Sequence, residues 1–204
     1  MWYIVDEKFL THVRITEAEE KLFAYLNRVV NECKIETTMR IAGGWVRDKI
    51  LGGNPHDIDI SLDNMTGKEF GLLLKQKLEE PNVSADPDFT GEVNKKRKLE
   101  HRVAVIEKKP ELGKFVETAT IHLFGFSLDI LSLRSQFQVG DCEKNPLRLS
   151  NNFLNDSSIL KAIEDAHLRD LTINALFYNI NKGCFEDFVN VQIYFNSVQF
   201  FFKK

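Results

Sequence analysis

The sequence predicts an α+β fold, a mixed or antiparallel sheet flanked by helices. Three observations point there. After an opening helix, strand and helix signals follow the order β-α-β-α-β-β-β-α, which is not the repeating β-α-β series of a parallel fold. Residues Asp57–Leu62 alternate apolar and polar with a period of two, the signature of a strand with one buried face. Two Thr-x-x-Glu pairs, Thr16/Glu19 and Thr66/Glu69, mark helix starts.

The elements follow in order. After Thr16, Leu22, Leu26, Val29, Val30 and Cys33 recur at helical spacing, so residues 17–33 read as an amphipathic helix. Met39–Ala42 is a short apolar strand running into Gly43-Gly44. Residues 45–51 fit a short helix closed by the turn Gly52-Gly53-Asn54-Pro55. In the strand that follows, Ile58, Ile60 and Leu62 share one face, and Asp57, Asp59 and Ser61 the other. The second capped helix carries Phe70, Leu73, Leu74 and Leu78 inward. Residues 80–98 lack an apolar pattern and end in Lys95-Lys96-Arg97-Lys98, which reads as a loop. Strands are expected over 101–107, 118–124 and 126–133, the last two joined at Gly125. After the polar stretch 138–150, helices are expected over 159–164 and 167–176, with a short extension over 177–180.

Composition narrows the function classes. The 204 residues suit one ordinary domain or about one and a half. A formal net charge of −3 supplies no global basic field for nucleic acid. That argues against a simple nucleic-acid-binding module more than against an enzyme, which needs only local charge. Cys33, Cys142 and Cys184 are odd in number and widely spaced, a pattern of a reducing compartment rather than of disulfides or zinc. His12, His56, His101, His122 and His167 share no metal-ligand spacing. His56 adjoins Asp57 and reads as a turn residue, with a contact behind the carboxylates as the alternative. No apolar run approaches the roughly 18 residues of a membrane span, and the acidic N-terminus is unlike a transit or signal peptide. The cytosol is the default compartment, with the nucleus open and no membrane partner expected.

The chemistry concentrates in Gly43-Gly44-Trp45-Val46-Arg47-Asp48 followed by Asp57-Ile58-Asp59. Two glycines after a strand let backbone approach a phosphate closely, and a helix opening there aims N–H groups at an anion. Arg47, one turn in, can add a charge-assisted bond. Asp57 and Asp59 project side by side from one strand face and repel each other unless a cation joins them; Mg2+ takes such hard oxygen ligands together with substrate phosphates. Either motif alone is usually a turn or a solvated strand face, and it is their succession that points to a site. Further on, Asp170 and Asn174 stand one helical turn apart, with Leu171, Ile173 and Leu176 free to point inward. Capping of that helix by Asp170 and Thr172 is the competing reading. Asp129 lies on an alternating strand, where catalysis and a structural salt bridge remain open alternatives. The basic run 95–98 reads as a solvated loop, with RNA phosphates as the alternative.

GGWVRD followed by DIDI resembles motif A of class II nucleotidyltransferases in the polymerase-β superfamily. The segments IDISLDNMTGKEF, ETAT with LDILSLR, and DAHLRDLTINALFYNI resemble eukaryotic tRNA CCA-adding enzymes in the family's order, from about residue 19 to residue 189. The resemblance implies a polymerase-β-like head and a role for each matching residue. Gly43, Gly44 and Arg47 would contact the nucleotide triphosphate, and Asp57 and Asp59 would hold catalytic Mg2+. Asp129 would be a third active-site carboxylate, and Arg169, Asp170 and Asn174 of motif B would handle the nucleotide and its ribose. The implied reaction is template-independent transfer of CMP and AMP from CTP and ATP to the tRNA 3′ end, with release of pyrophosphate.

This sequence departs from the pattern in places. Leu168 stands where the family usually has a first arginine of motif B, and Gln136 where eukaryotic members commonly place Glu. The likeness ends after Phe185-Glu186-Asp187-Phe188, before the family's base-reading motif. The expected organisation is a catalytic head over 1–164, the motif B helix and start of a neck over 165–189, and a divergent tail over 190–204, without the family's body and tail domains. Two other functions follow from that ending: a poly(A)- or single-nucleotide-adding enzyme, or a non-catalytic head that binds nucleotide or a partner. The oligomeric state is left open.

Overall fold

The computed structural model describes residues 13–79, 103–106, 118–134 and 157–189. The loop and basic run expected within 80–98, the polar stretch 138–150 and the tail 190–204 lie outside these residues.

Helix α1 (Glu17–Glu32) starts at Thr16 as its sequence predicts: the Thr16 hydroxyl accepts from the Glu19 amide at 3.3 Å, and the Glu19 carboxylate accepts from the Thr16 amide at 2.7 Å. The chain continues through β1 (Met39–Ala42), α2 (Gly44–Ile50) and β2 (Asp57–Leu62) to α3 (Gly67–Glu79), which has the same reciprocal cap between Thr66 and Glu69. Strands β3 (Val103–Ile106), β4 (Thr118–Leu123) and β5 (Phe126–Ser132) follow, then α4 (Ser157–His167), a 3-10 turn (Thr172–Ala175), β6 (Leu176–Asn179) and β7 (Cys184–Asp187).

The seven described strands form one sheet in the order β3-β4-β5-β2-β1-β6-β7. Only β2 and β5 run parallel; every other neighbouring pair is antiparallel. The mixed sheet expected from sequence is therefore present. At the β4–β5 turn both Phe124 (φ 52°) and Gly125 (φ 84°) have positive φ, the geometry of a two-residue hairpin that follows the natural strand twist.

One face of the sheet carries the main core. Met39, Ile41, Ile58, Ile60, Leu62, Leu128 and Ile130 pack there with Leu22, Leu26 and Val29 of α1, Trp45 of α2 and Phe70 and Leu74 of α3. Gly71 lets α3 come close to β4: a Cβ there would lie 2.5 Å from Ala119 Cβ. The other face holds a smaller cluster, in which Ala42 and Phe177 meet Ala162 and Ala166 of α4. Asp57 and Asp59 remain exposed on that side. No described helix is long and apolar enough to cross a membrane.

A buried tie fixes α2 behind β1. Glu19 accepts from Trp45 Nε1 at 3.0 Å and pairs with Lys49 Nζ at 2.7 Å, with both charged side chains almost fully buried. The pairing sets the helix that carries Arg47 against α1.

Residues 167–176 do not form the expected helix. Helix α4 ends at His167, Leu171 is extended (φ −129°, ψ 138°), and only 172–175 turn again, as 3-10. Asp170 supplies the reason: its Oδ1 accepts from the Leu171 amide at 2.9 Å and from Asn174 Nδ2 at 3.2 Å, a local pairing that competes with helical bonding. Leu171 points outward, 55% exposed, rather than inward, Ile173 is half-buried, and Leu176 is buried as expected. The expected extension over 177–180 is mostly strand β6, which with β7 joins the same sheet as β1.

Candidate active site

The carboxylates come first, because strand register alone places them. Asp57 and Asp59 alternate with buried Ile58 and Ile60, so both face away from the main core. Parallel pairing of β2 with β5 sets Asp129 in register beside Asp59. Thr120, the partner of Asp129 on β4, donates its hydroxyl to Asp129 Oδ1 at 2.6 Å. Partial burial and then the Asp129 charge push the Asp59 carboxyl above the usual aspartate range; Arg169 pulls it back and Asp57 adds to the rise.

Asp59 and Asp129 stand in register on neighbouring strands, with Asp57 on the same strand face as Asp59, and their carboxylates are the hard oxygens a divalent ion accepts. Among the described residues no three His, Cys, Asp or Glu side chains are grouped so as to hold a metal ion by themselves. A divalent ion that keeps waters and substrate oxygens in its shell needs no such group. The residues present fit such an ion.

The glycine segment closes one side. Gly43 has φ 77° and ψ −130°, a conformation that L side chains rarely adopt. A Cβ at Gly43 would sit 3.5 Å from Arg169 Nη1 and 3.9 Å from Asp59 Oδ2, so this glycine lies between the arginine and the carboxylate. A Cβ at Gly44 would lie 3.7 Å from Arg47 Nη2. Arg47 binds Asp48 Oδ1 through Nε at 2.7 Å and is partly exposed. That bond and its charge hold the guanidinium still more firmly protonated, with a smaller contribution from Asp170.

Arg169 is the most constrained cation of the site. Its Nε and Nη2 bond Asp165 Oδ2 at 3.0 and 2.6 Å, and its guanidinium carbon lies 5.1 Å from the centre of the Phe177 ring. Asp170 is exposed, and its bond from Asn174 is the main reason its carboxyl is held below the usual range. Among the described residues the buried Asn174 Oδ1 has no hydrogen-bond partner, an acceptor open to a donor from a ligand.

The structure thus gathers Gly43, Asp59, Asp129 and Arg169 around one patch, with Asp57 at its edge, Arg47 beside Gly44, and Asp170 paired to Asn174. The reading of Asp129 as half of a salt bridge finds no ion pair among the described residues; Asp129 Oδ1 accepts instead from the Thr120 hydroxyl. Sequence reasoning assigned no role to Thr120, Arg134 or Asp165. The spacing of four between Asp165, in the last turn of α4, and Arg169, just past its end, was the available signal.

Residues 39–193 match the Poly A polymerase head domain family. The chain belongs to that family. Over 158 residues, 74% of its length, this head is 39% identical to the mitochondrial CCA tRNA nucleotidyltransferase of Saccharomyces cerevisiae, of which it spans 24%. It is 33% identical over 180 residues to the tRNA nucleotidyltransferase cca1 of Schizosaccharomyces pombe, covering 86% of this chain and 31% of that protein. The head therefore spans about a quarter to a third of these curated relatives. Its fold is shared with a CCA-adding enzyme solved with CTP, at a TM-score of 0.57, 23% identity, and coverage of 92% of this chain and 34% of that one. The fold is the α+β, polymerase-β-like head that the sequence predicts.

Proposed function

We propose that this chain is the catalytic head of a template-independent RNA nucleotidyltransferase that transfers CMP and AMP from CTP and ATP to the tRNA 3′ end, completing CCA and releasing pyrophosphate. One observation carries the reading: Asp59 and Asp129 stand in register on parallel strands, and Arg169 reaches the same patch across Gly43. The kinship with tRNA nucleotidyltransferases supports the substrate class.

In this reading Asp57 and Asp59 hold Mg2+, with Asp129 as the third carboxylate. Mg2+ held there would neutralise charge on the triphosphate and lower the pKa of the attacking ribose hydroxyl. Gly43 and Gly44 leave room for phosphate oxygens against the backbone, and Arg47 and Arg169 clamp them by charge. Asp170 and Asn174 address the ribose, the buried Asn174 Oδ1 accepting from a sugar hydroxyl. Catalysis is then mainly positioning and charge stabilisation along the line of attack at the α-phosphate.

The contacts assigned so far address phosphate, metal and sugar, which every ribonucleotide carries. That observation favours a second reading, a poly(A)- or single-nucleotide-adding enzyme, consistent with the family's name. Two of the relatives are mitochondrial proteins.

Incubating the chain with Mg2+, labelled CTP or ATP, and a tRNA lacking its terminal CCA tests the proposal. Incorporation of CMP and then AMP supports CCA addition. Transfer of AMP without prior CMP supports the second reading. Nucleotide binding without transfer makes this chain a non-catalytic head, and absence of both overturns the site.

A further inference from the structure

Asp165 is fully buried, at 0% exposure, in α4. A lone carboxylate at that depth is strongly unfavourable and persists only with charged donors around it. Here each oxygen has its own set. Oδ2 accepts from Arg169 Nε and Nη2 at 3.0 and 2.6 Å. Oδ1 accepts from Arg134 Nε at 2.9 Å and from the Arg134 amide at 3.2 Å.

Two of the three Arg169 nitrogens are therefore committed to Asp165, while the third, Nη1, is the atom nearest a Cβ built on Gly43. Phe177 lies against the guanidinium. A planar fork held at two corners and packed against a ring has little freedom left, so Nη1 points toward the glycine loop before any ligand arrives. Arg134 follows β5, the strand that carries Asp129. One carboxylate thus joins the end of the Asp129 strand to the arginine that faces Asp59.

We propose that Asp165 is a positioning residue: through one oxygen it aims Arg169 at the glycine loop, and through the other it anchors that arginine to the end of β5. The inference rests on Arg169 contacting the nucleotide, as proposed above.

The test is a double-mutant cycle on the full chain, with CTP affinity in the presence of Mg2+ measured by calorimetry for wild type, Arg169→Gln, Asp165→Asn and the double variant. Each single change should weaken binding on the order of tenfold, the size of a lost charged hydrogen bond. Asp165→Asn should add nothing further once Arg169 is gone. A merely structural role would lose affinity equally in both backgrounds. Wild-type affinity in Arg169→Gln would remove the reading of Arg169, and this proposal with it. Weakened binding in Arg169→Gln but not in Asp165→Asn, or two losses that add in full, would overturn the positioning role alone. Should Asp165→Asn fail to fold, the wild-type chain carries the test through its Arg169 Nε–H proton resonance, assigned by its disappearance in Arg169→Lys. A sharp signal resolved from the exposed arginines before nucleotide is added is expected. A signal averaged among them would overturn the proposal.

Discussion

The amide of Gly43 donates a 3.2 Å hydrogen bond to the carbonyl of Asn174, joining two motifs from opposite ends of the described chain. The bond depends on an unusual backbone at Gly43 and on the 3-10 turn that presents the Asn174 carbonyl.

Gly43→Ala should disturb both. A side chain at φ 77° is strained, and its Cβ would enter the gap between Arg169 and Asp59. The expected loss is about 1–3 kcal/mol of stability, together with weaker nucleotide binding. Urea unfolding and CTP titration check it; wild-type behaviour in both would show that the gap has no role.

Asp59→Asn should have opposite effects on stability without and with metal. A raised Asp59 carboxyl means that the folded chain holds this proton more tightly than the unfolded chain. Stability is then lost as pH rises from the ordinary aspartate range through the raised value. In chelator at neutral pH the Asn variant should melt higher than wild type, because burial and repulsion by Asp129 and Asp57 no longer act on a charge. Mg2+ should raise the melting temperature of wild type and leave that of the variant unchanged. A lower melting temperature in chelator would contradict the electrostatic account.

Arg47→Lys retains the charge and loses the planar fork. Nε is engaged with Asp48, so the two terminal nitrogens are the groups left for phosphate. CTP affinity should fall about tenfold with the thermal midpoint nearly unchanged. Equal affinity by calorimetry would return Arg47 to an ordinary surface pair with Asp48.

Gly71→Ala separates fold from site. The added methyl would meet Ala119 at 2.5 Å, far inside van der Waals contact, on the face remote from the carboxylates. Overpacking should lower stability by about 1–3 kcal/mol, while CTP affinity per folded molecule stays at the wild-type value. A stable variant would show that α3 moves off the sheet easily.

Much of this was legible in the chain itself. Local patterns determined α1 through α3, since the Thr16–Glu19 and Thr66–Glu69 caps and the alternation at residues 57–62 act over a few residues. The motif succession likewise singled out Gly43, Arg47, Asp57 and Asp59. Residues 167–176 misled because spacing alone cannot tell an α-helix from a turn in which Asp170 bonds Leu171 and Asn174. Strands β6 and β7 were equally hidden: a four-residue strand is defined by its neighbours, and Ala42 opposite Phe177 is a fact of pairing.

The sequence by itself determined the residue types of the site and the strand that bears two of its carboxylates. Tertiary structure alone decided that Asp129 stands beside Asp59, that Arg169 faces Gly43, and that Asp165 grips two arginines at once. The physical reason is range. Caps and alternation are set by neighbours in the chain, whereas the field at Asp59 and the aim of Arg169 come from strand register and from charges that only folding brings together.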